Sequence, residues 1–406
     1  MQVLTLPTGP AAAGSATATP IPRVFQPRRT VPTDVVRPTR AEVSLPNLRF
    51  NLRQLSRRTA ADVWCVLKAD GYGHGAKACA RTLERAGAKG LCVALLEEGI
   101  ELRNAGIQVP ILVMGGYCGS AESELLAHHL TPVVYDAGQV ERLGAEARYR
   151  GAKVNVHLKV DTGMGRLGFS PHEAEAICAA MLKYPELCAE GLMTHFSSAG
   201  SDQAEVERQL DVFDEVTVLL AQRGVRARAR HAANTAALLT CKRSHLDIVR
   251  PGIGVFGLAP DVELVSPGLR PTLRVLSTVV ALRDLQPGQS VGYGARWKAE
   301  RASRVATIPI GYADGLSRGS ARGGHVLVRG KRAPIIGAIS MDLTTIDVTE
   351  LEGISIGDEA VVVGEQLGTL GSDCITVEEI AQREGTIAWE VMTSVSSRVP
   401  RFYRGA

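Results

Sequence analysis

A chain of 406 residues, of which 45% are apolar and 22% charged, has the composition of a soluble globular protein with two or three domains. Its formal net charge of +4, without a basic stripe interleaved with aromatic residues, argues against a nucleic-acid-binding protein. No apolar run is long enough to span a membrane, so we expect no membrane segment. The eight cysteines show no CxxC pair and no His–Cys ligand spacing, which predicts neither disulfides nor a metal site and fits a reducing cytoplasm.

Residues 1–38 differ in composition from the rest of the chain. They are rich in proline, alanine, threonine and arginine, and no acidic residue precedes Asp34. They lack the apolar segment of a secretory signal, and their prolines disfavour the amphipathic helix of a transit peptide. We therefore predict a disordered extension over 1–38.

Short apolar or β-branched runs alternate with helical segments from residue 63 onwards. Eight strand–helix units predict an α/β fold built as a (β/α)8, TIM-like barrel, which we place over 39–272. The predicted strands are VWCVLK (63–68), GLCVAL (90–95), PILVM (110–114), TPVVY (131–135), KVNVHLKV (153–160), AEGLMT (189–194), ARARH (227–231) and LDIVR (246–250).

The pattern changes after residue 272. Runs such as LRVLSTVVALRDL and EAVVVGE are strand-like and are separated by glycine and proline. Helical character returns only at TVEEIAQREGT and its continuation. This pattern predicts a mostly-β C-terminal domain over 273–406.

Ionisable and polar side chains follow several of the predicted barrel strands. Catalytic groups of such barrels lie at the carboxyl ends of the strands, so these side chains are candidates for a site. A lysine at a strand end usually extends to water, but a lysine held in a cleft can form a Schiff base. The candidates are Lys68, Lys159, Asp161, Arg166, His195, His231, Asn234, Thr235 and Arg250.

A glycine-rich turn, PGIGVFG, follows the last predicted barrel strand. It contains the spacing G-x-G-x-x-G, but Pro251 interrupts it and no acidic residue follows at about 20 positions, so we reject a dinucleotide site. Backbone N–H groups of Gly252 and Ile253 that face a single phosphate fit the barrel better. A lysine, a phosphate site and a barrel together suggest pyridoxal 5′-phosphate (PLP) bound to Lys68.

The chain resembles the alanine racemases along nearly its whole length from about residue 38. The matching motifs are VLKADGYGHG, VDTGMGRLG, MTHFSSA, HAANTAA, VRPGIGVFG, VGYGARW, IPIGYADG, SMDLT and SSRVPR. The resemblance implies a cytoplasmic enzyme that acts on a small amino acid, interconverting L- and D-alanine and supplying D-alanine for peptidoglycan. It also implies that Lys68 carries PLP and that Tyr293 is the opposite base. The expected assembly is a homodimer in which one chain lends Tyr293 and Met341 to the barrel of the other.

The resemblance further implies roles for the residues around the cofactor. Arg250 would face the pyridine nitrogen, which then stays unprotonated, and His195 would hold Arg250. Arg166 would bind the cofactor's phenolic oxygen and the substrate carboxylate, and a carbamylated Lys159 would brace it. The Met341 N–H would also bind the carboxylate. The remaining cofactor contacts would come from Tyr72, Asn234, Thr235, Gly252, Ile253 and Trp389, with Tyr312 and Asp342 in support.

The chain departs from the family pattern at two places. Trp389 stands where the family has tyrosine, which removes a hydroxyl beside the phosphate and adds bulk beside the substrate. The pair Asp70-Gly71 replaces Asn-Ala, a milder change.

Four alternative interpretations remain open at this point. The first is a PLP-dependent racemase of serine, lysine or several amino acids. The second is a decarboxylase of basic amino acids, which Arg250 disfavours because the cofactor ring would then be a weak electron sink. The third is a non-catalytic PLP carrier, which would not need 273–406. In the fourth, Lys68 only extends to water.

Overall fold

The computed structural model of the protein describes residues 36–260 and 268–405. The extension predicted over 1–38 therefore lies outside the described residues, except for its last three positions. Within the described ranges, no helix is both long and apolar enough to cross a bilayer.

Strands and helices alternate through the first part of the chain. In order, they are β1 (Arg40–Ser44), α1 (Leu45–Ser56), β2 (Asp62–Val66), α2 (Lys68–Tyr72), α3 (Ala76–Arg85), β3 (Gly90–Val93), α4 (Leu96–Asn104), β4 (Ile111–Val113), α5 (Glu122–Ala127), β5 (Thr131–Val134), α6 (Ala137–Tyr149), β6 (Val154–Lys159), α7 (Ala174–Lys183), β7 (Leu187–Met193), α8 (Gln203–Gln222), β8 (Ala229–His231), α9 (Thr235–Thr240) and β9 (Ile248–Val249).

The second part consists mostly of strands. They are β10 (Leu273–Thr278), β11 (Ala281–Leu285), β12 (Ser290–Val291), β13 (Trp297–Lys298), β14 (Ser303–Ile308), β15 (His325–Val328), β16 (Lys331–Ile336), β17 (Thr344–Asp347), β18 (Glu359–Gly368), β19 (Gly371–Ile375) and β20 (Arg401–Arg404). Two helices, α10 (Val377–Glu384) and α11 (Ala388–Ser394), precede β20.

The strands β2 to β9 form one parallel sheet that curls into a nearly closed barrel. The strand order is β8-β7-β6-β5-β4-β3-β2-β9. The two end strands are joined by backbone hydrogen bonds from the Asp247 N–H to the Arg230 carbonyl (3.1 Å) and from the Arg250 N–H to the Ala233 carbonyl (2.9 Å). This arrangement confirms the predicted fold class, because parallel strands joined by outer helices place all their carboxyl ends on one rim.

The interior of the barrel is filled by large side chains from opposite strands. Trp64 on β2 meets His157 on β6 with ring centroids 5.5 Å apart. Glycines on neighbouring strands leave the room for them, since a Cβ at Gly90 would collide with the Trp64 ring and one at Gly191 with the His157 ring. The barrel is therefore a packed core rather than a pore, and a ligand can enter only at its rim.

A second sheet contains most of the later strands. Its order is β11-β14-β17-β16-β15-β18-β10-β1-β20, with β19 paired to β18, and the short hairpin β12-β13 lies apart from it. The mostly-β character predicted after residue 272 is therefore confirmed, and β10 begins at Leu273.

The strand β1 belongs by its pairing to this second sheet, although it lies in the range predicted as barrel. It runs antiparallel to β10 and parallel to β20. The sequence did not predict β1 as a strand of this sheet, because its charged residues are buried: Arg40 and Glu42 pair with each other at 3.0 Å. Glu42 also pairs with Arg274 (3.1 Å) and Arg404 (2.5 Å). The division into domains at residues 272 and 273 stays a prediction.

Candidate active site

A cavity of about 130 Å³ opens at the carboxyl ends of the barrel strands. Nine of the residues predicted for the site line it together, as expected for side chains on one rim of a barrel. They are Lys68, Tyr72, His195, Asn234, Thr235, Arg250, Gly252, Ile253 and Trp389. Val66, Met114, Ala236 and Pro260 complete the wall.

The chain reverses in a left-handed turn directly after Lys68. The strand β2 ends two residues before this lysine, which is earlier than predicted. Five successive residues then have positive φ: Ala69 (53°), Asp70 (51°), Gly71 (62°), Tyr72 (53°) and Gly73 (77°). Only glycine adopts this region without cost, so the other three residues carry backbone strain that their surroundings must offset. The turn places the Lys68 and Tyr72 side chains at the same cavity.

Two carboxylates hold this turn in place. Glu98 accepts hydrogen bonds from the Ala69 N–H (2.6 Å) and the Ala94 N–H (2.8 Å), which ties the turn to the end of β3. Asp70 accepts from the Ala76 N–H (2.7 Å) at the start of α3. Glu98 was not among the predicted site residues, and the signal for it is an acidic residue in the first turn of the helix that follows the neighbouring strand.

The far end of the cavity is suited to an anion. The Thr235 Oγ1 accepts from the backbone N–H groups of Gly252 (3.0 Å) and Gly254 (3.3 Å), so its own hydroxyl proton remains to be donated. The Tyr72 hydroxyl occupies the space that a Cβ at position 252 would fill. The Gly252 N–H was predicted to face a phosphate; in this structure it donates to Thr235, and its contact with a phosphate stays a prediction. Ile253 begins a short 3-10 helix, where its N–H has no acceptor within the helix.

Asn234 shapes the same end of the cavity by capping α9. Its side-chain oxygen accepts from the Ala237 N–H at 3.0 Å. The cap fixes the direction in which the helix begins, and the first N–H groups of a helix are the natural partners of an anion. The residues at this end therefore offer two hydroxyl groups and several backbone N–H donors.

Arg250 lies at the opposite side of the cavity and is 2% exposed. Its Nη1 donates to Nδ1 of His231 (2.7 Å), and its Nη2 donates to the carbonyls of Thr194 (2.9 Å) and Ala232 (3.1 Å). Burial lowers the pKa of Arg250 to about 10, so the side chain stays cationic at neutral pH. Behind it, Nε2 of His231 lies 2.7 Å from Nδ1 of His157.

His195 was predicted to hold Arg250, and the structure assigns that contact to His231 instead. No hydrogen bond of Arg250 within the described ranges ends on His195. His195 lines the cavity, and burial followed by the charge of Arg250 lowers its pKa to about 3. His231 was visible in the sequence at the end of a strand, but nothing in the pattern distinguished the two histidines.

Two lysines and an arginine share the rim on the β2 and β6 side. Lys159 is 5% exposed, and burial, followed by the charges of Arg250 and Arg166, lowers its pKa to about 8. Burial and then the charge of Arg166 also lower the pKa of Lys68. Arg166 lies on the loop after β6, which Asp161 folds by accepting from the backbone N–H groups at positions 163 (2.9 Å) and 165 (3.1 Å). A lowered pKa increases the share of each lysine in the neutral, nucleophilic form.

Six predicted site residues do not line the cavity. Lys159 and Arg166 lie at the end of β6 and on the loop after it, and the other four lie on loops of the C-terminal part: Tyr293, Tyr312, Met341 and Asp342. Tyr293 is 77% exposed, and Tyr312 and Asp342 sit on two loops joined by a hydrogen bond from the Tyr312 N–H to the Ser340 carbonyl (3.1 Å). Asp342 accepts from Arg398 at 2.6 Å. We call the exposed apolar side chains of these loops the exposed loop cluster; its members are Tyr293, Tyr312, Met341 and Leu343.

Two family profiles match successive parts of the chain. Residues 43–260 match the profile described as "Alanine racemase, N-terminal domain", and residues 272–403 match "Alanine racemase, C-terminal domain". Together these ranges contain the barrel, every residue of the cavity lining, and the second sheet except the first three residues of β1 and the last residue of β20.

Similar proteins cover almost the whole chain. The alanine racemase of Sorangium cellulosum is 55% identical over 378 residues, which are 91% of this chain and 100% of that protein. The alanine racemase of Halothermothrix orenii is 41% identical over 91% of this chain and 98% of its own length. Among solved structures, the alanine racemase of Streptomyces coelicolor A3(2) superposes with a TM-score of 0.86 at 36% identity, over 92% of this chain and 99% of that chain. That of Bacillus anthracis with bound L-Ala-P gives 0.85 at 30% identity, over 91% and 95%.

Proposed function

The chain belongs to the alanine racemase family, and we propose that it interconverts L-alanine and D-alanine with PLP bound at Lys68. The observation that carries the proposal is the cavity itself. It combines a lysine of lowered pKa, a buried arginine and a cradle of anion donors within one barrel rim.

The residues of the cavity fit PLP. The cradle of Tyr72, Thr235 and the first turn of α9 offers donors for a phosphate, and a side chain at position 252 would fill it. Lys68 would bind the aldehyde carbon, and Arg250 would lie against the ring nitrogen. When bound, PLP withdraws electrons from the α-carbon of an amino acid, so that the α-hydrogen can leave as a proton.

Arg250 would set how strongly the cofactor withdraws electrons. An arginine can only donate, and three hydrogen bonds hold this one in a fixed orientation. A ring nitrogen that accepts from Arg250 stays unprotonated, which favours brief removal of the α-proton over transfer of the amino group. The same argument disfavours the decarboxylase alternative.

Two bases on opposite faces would complete the exchange of the α-proton. Lys68 would serve one face of the α-carbon, and Tyr293 of a second copy would serve the other, because inversion requires a proton to be added on the face opposite to the one from which it was removed. A phenol has a pKa of roughly 10, so Tyr293 needs cationic surroundings to act as a base. Its 77% exposure and its absence from the cavity lining of its own chain support a contribution to a partner.

The exposed loop cluster would be the part of the C-terminal domain that covers the partner's barrel. Apolar side chains that are exposed together mark a protein contact, and two of these four, Tyr293 and Met341, are the residues proposed to act in the partner's site. In this homodimer, the Met341 N–H and Arg166 would bind the substrate carboxylate, and Tyr312 and Asp342 would support the same loops.

Lys159 would act as a brace after addition of carbon dioxide to its amine. In that step a bond forms between Nζ and the carbon of CO₂, one proton leaves Nζ for water, and the product is a carbamate anion that can pair with Arg166. The buried position and the pKa of about 8 support this, because neutral amine is present near neutral pH. ¹³C-labelled bicarbonate should give a carbamate signal by NMR that disappears in Lys159→Met. The signal's persistence in that variant would contradict the assignment.

Trp389 favours one second candidate, a PLP-dependent racemase that accepts several amino acids. It lines the cavity at a position where the family has tyrosine, so the space beside the substrate differs. For either substrate range we propose that the enzyme works in the cytoplasm, which fits eight cysteines that are all free. We also propose that its D-alanine serves peptidoglycan synthesis.

The test is to measure D-alanine formation and the visible absorption of bound cofactor in Lys68→Ala. Both should be lost together. The matched control is Lys89→Ala, which removes an exposed lysine at the other end of the barrel, where the Lys89 N–H pairs with the Val63 carbonyl. Unchanged cofactor absorption in Lys68→Ala would overturn the assignment of Lys68, and a substrate panel with serine and lysine separates the two candidate functions.

A further inference from the structure

A row of three buried side chains crosses the interior of the barrel below the cavity. It runs from Arg250 to His231 and on to His157, with successive nitrogen–nitrogen distances of 2.7 Å and 2.7 Å. Both histidines are fully buried, and the row ends there because Nε2 of His157 has no hydrogen-bond partner within the described ranges. Packing alone would not require polar side chains at these positions, since strands of a barrel interior are usually filled by branched apolar residues.

The chemistry of the first member fixes the direction of every hydrogen bond in the row. A guanidinium has only donors, so Nδ1 of His231 must accept and cannot carry a proton. In a neutral imidazole the proton then lies on Nε2 of His231, which donates to Nδ1 of His157. His157 in turn carries its proton on Nε2. Burial, followed by the charge of Arg250, lowers the pKa of both histidines, that of His157 to about 3, which agrees with neutral rings.

The position of the His157 ring is also fixed by its surroundings. Trp64 packs against it at a ring-plane angle of 41°, and the absence of a side chain at Gly191 provides its space. His157 therefore presents Nδ1 to His231 from one direction only. If that acceptor were missing, the Nε2–H of His231 would be a second buried donor without a partner, in addition to the Nε2–H of His157 at the end of the row, and each such group is costly. If the His231 ring flipped to give that N–H another partner, an N–H of His231 would face the N–H of Arg250 Nη1, and two donors cannot form a hydrogen bond.

We propose that His157 is a positioning residue for Arg250: its Nδ1 fixes the tautomer of His231, which in turn holds the guanidinium against the cofactor's ring nitrogen. The inference rests on the proposed function for its catalytic consequence. The order of donors and acceptors in the row does not depend on that function.

The first experiment reads the protonation of the ring nitrogens directly. ¹⁵N NMR of the purified protein, with histidines assigned by substitution, should show unprotonated Nδ1 and protonated Nε2 in both His231 and His157. A protonated Nδ1 on either ring would overturn the row as described. This outcome is independent of whether the protein racemises alanine, so it separates a failure of the inference from a failure of the proposed function.

The second experiment compares two substitutions of the same residue. His157→Asn keeps an acceptor near the position of Nδ1, whereas His157→Leu removes it and keeps an apolar side chain. We expect His157→Leu to lower kcat about ten-fold with little change in KM, as for loss of one buried hydrogen-bond partner. Pyruvate formed per D-alanine should rise, because a displaced Arg250 lets the ring nitrogen be protonated. His157→Asn should restore both values.

Trp64→Phe is the matched control, because it disturbs the packing of the same ring without removing a member of the row. It should leave the ratio of pyruvate to D-alanine unchanged. Equal behaviour of His157→Leu and His157→Asn, or a wild-type ratio in His157→Leu, would overturn the proposal. If His157→Leu does not fold, the ring-nitrogen spectrum of the wild-type protein still decides.

Discussion

The barrel cavity and the exposed loop cluster differ in how much of their surroundings the single chain supplies. In the cavity, Arg250 has three hydrogen bonds from its own chain and Thr235 accepts two. In the exposed loop cluster, backbone hydrogen bonds fix the loops, but Tyr293 is 77% and Met341 51% exposed. The proposed cofactor site is lined by residues of one chain, whereas Tyr293 and Met341 do not line the cavity of their own chain within the described ranges. The difference suggests that a second copy completes the proposed chemistry.

Mixing two inactive proteins tests most directly whether a second copy completes the site. If Lys68 and Tyr293 of one site come from different chains, a dimer of Lys68→Ala with Tyr293→Ala has one intact site. Random pairing makes about half of the dimers mixed, so about a quarter of wild-type activity should return. The measurement is D-alanine formation after the two proteins are denatured and refolded together. Activity that stays at background would place both residues within one chain.

A second mixture serves as the control for the first. Wild-type protein is refolded with an equal amount of the double variant Lys68→Ala/Tyr293→Ala. Shared sites leave activity only in wild-type homodimers, about a quarter of the total, whereas sites within one chain leave about half. The two mixtures must therefore give the same fraction if the loops of one copy complete the cavity of the other.

A substitution at Gly252 tests how closely the cavity wall fits the phosphate of PLP. A Cβ there would collide with the Tyr72 hydroxyl, so Gly252→Ala should weaken retention of PLP on dialysis by about ten-fold or more, the loss of a charge-assisted hydrogen bond. The matched background is Tyr72→Phe, which removes the hydroxyl. In that background, Gly252→Ala should add little. Additive effects of the two substitutions would show that they act separately.

Lys159 provides a smaller effect, visible in the pH dependence of stability. Its pKa is lowered to about 8 in the folded chain from 10.5, so between these values the unfolded chain binds more protons. In protein kept free of carbon dioxide, so that Lys159 is an amine and not the proposed carbamate, the free energy of unfolding should therefore rise as pH increases through this window, by about 1 kcal/mol between pH 8 and 9. Lys159→Met should lack this rise when denaturant midpoints of the two proteins are compared. Parallel curves would mean that the amine is not titrating there, as when it is held as a carbamate at every pH.

The smallest expected effect is at Trp389. Trp389→Tyr restores a hydroxyl beside the phosphate cradle, so PLP retention should improve by a few-fold, up to about ten-fold for one hydrogen bond. The ratio of alanine to serine turnover should change as well, because the side chain borders the substrate. Trp389→Phe separates the hydroxyl from the loss of bulk. If all three proteins retain PLP equally and keep one substrate ratio, position 389 contributes only packing.

Much of the barrel could be predicted from the sequence because short strand-like runs alternate regularly with helical segments. Alternation of strand and helix fixes the order of the parallel strands, and this order brings Lys68, His195 and Arg250 to one rim. Lys68, His195, Asn234, Thr235 and Arg250 were predicted from their positions at strand ends. Gly252 and Ile253 were predicted from the glycine-rich turn, and Tyr72 and Trp389 only from the family resemblance. The same reasoning could not tell that Thr235 engages the Gly252 N–H, because a hydroxyl's direction depends on the final packing.

What the sequence left unpredicted has local physical reasons. The left-handed turn includes Ala69 and Asp70, which rarely adopt positive φ, so no composition signal marks it. The strand β1 was missed because its charged residues are buried in ion pairs rather than exposed. His157 looks like an ordinary polar residue of a strand, and its role depends on a contact with β8 that is distant in the chain.

The pairing of β1 also has a consequence for how the chain acquires its fold during synthesis. The strand leaves the ribosome first, yet both of its neighbours, β10 and β20, follow the entire barrel. While the barrel folds, the backbone N–H and C=O groups of β1 have no strand to pair with. Arg40 and Glu42 become fully buried only after the last residues of the chain are made. A chain that stops short of β20 would keep this edge unpaired and ready to join another strand. We therefore expect truncated chains that lack β20 to be prone to degradation or aggregation, because of the order of the strands along the chain.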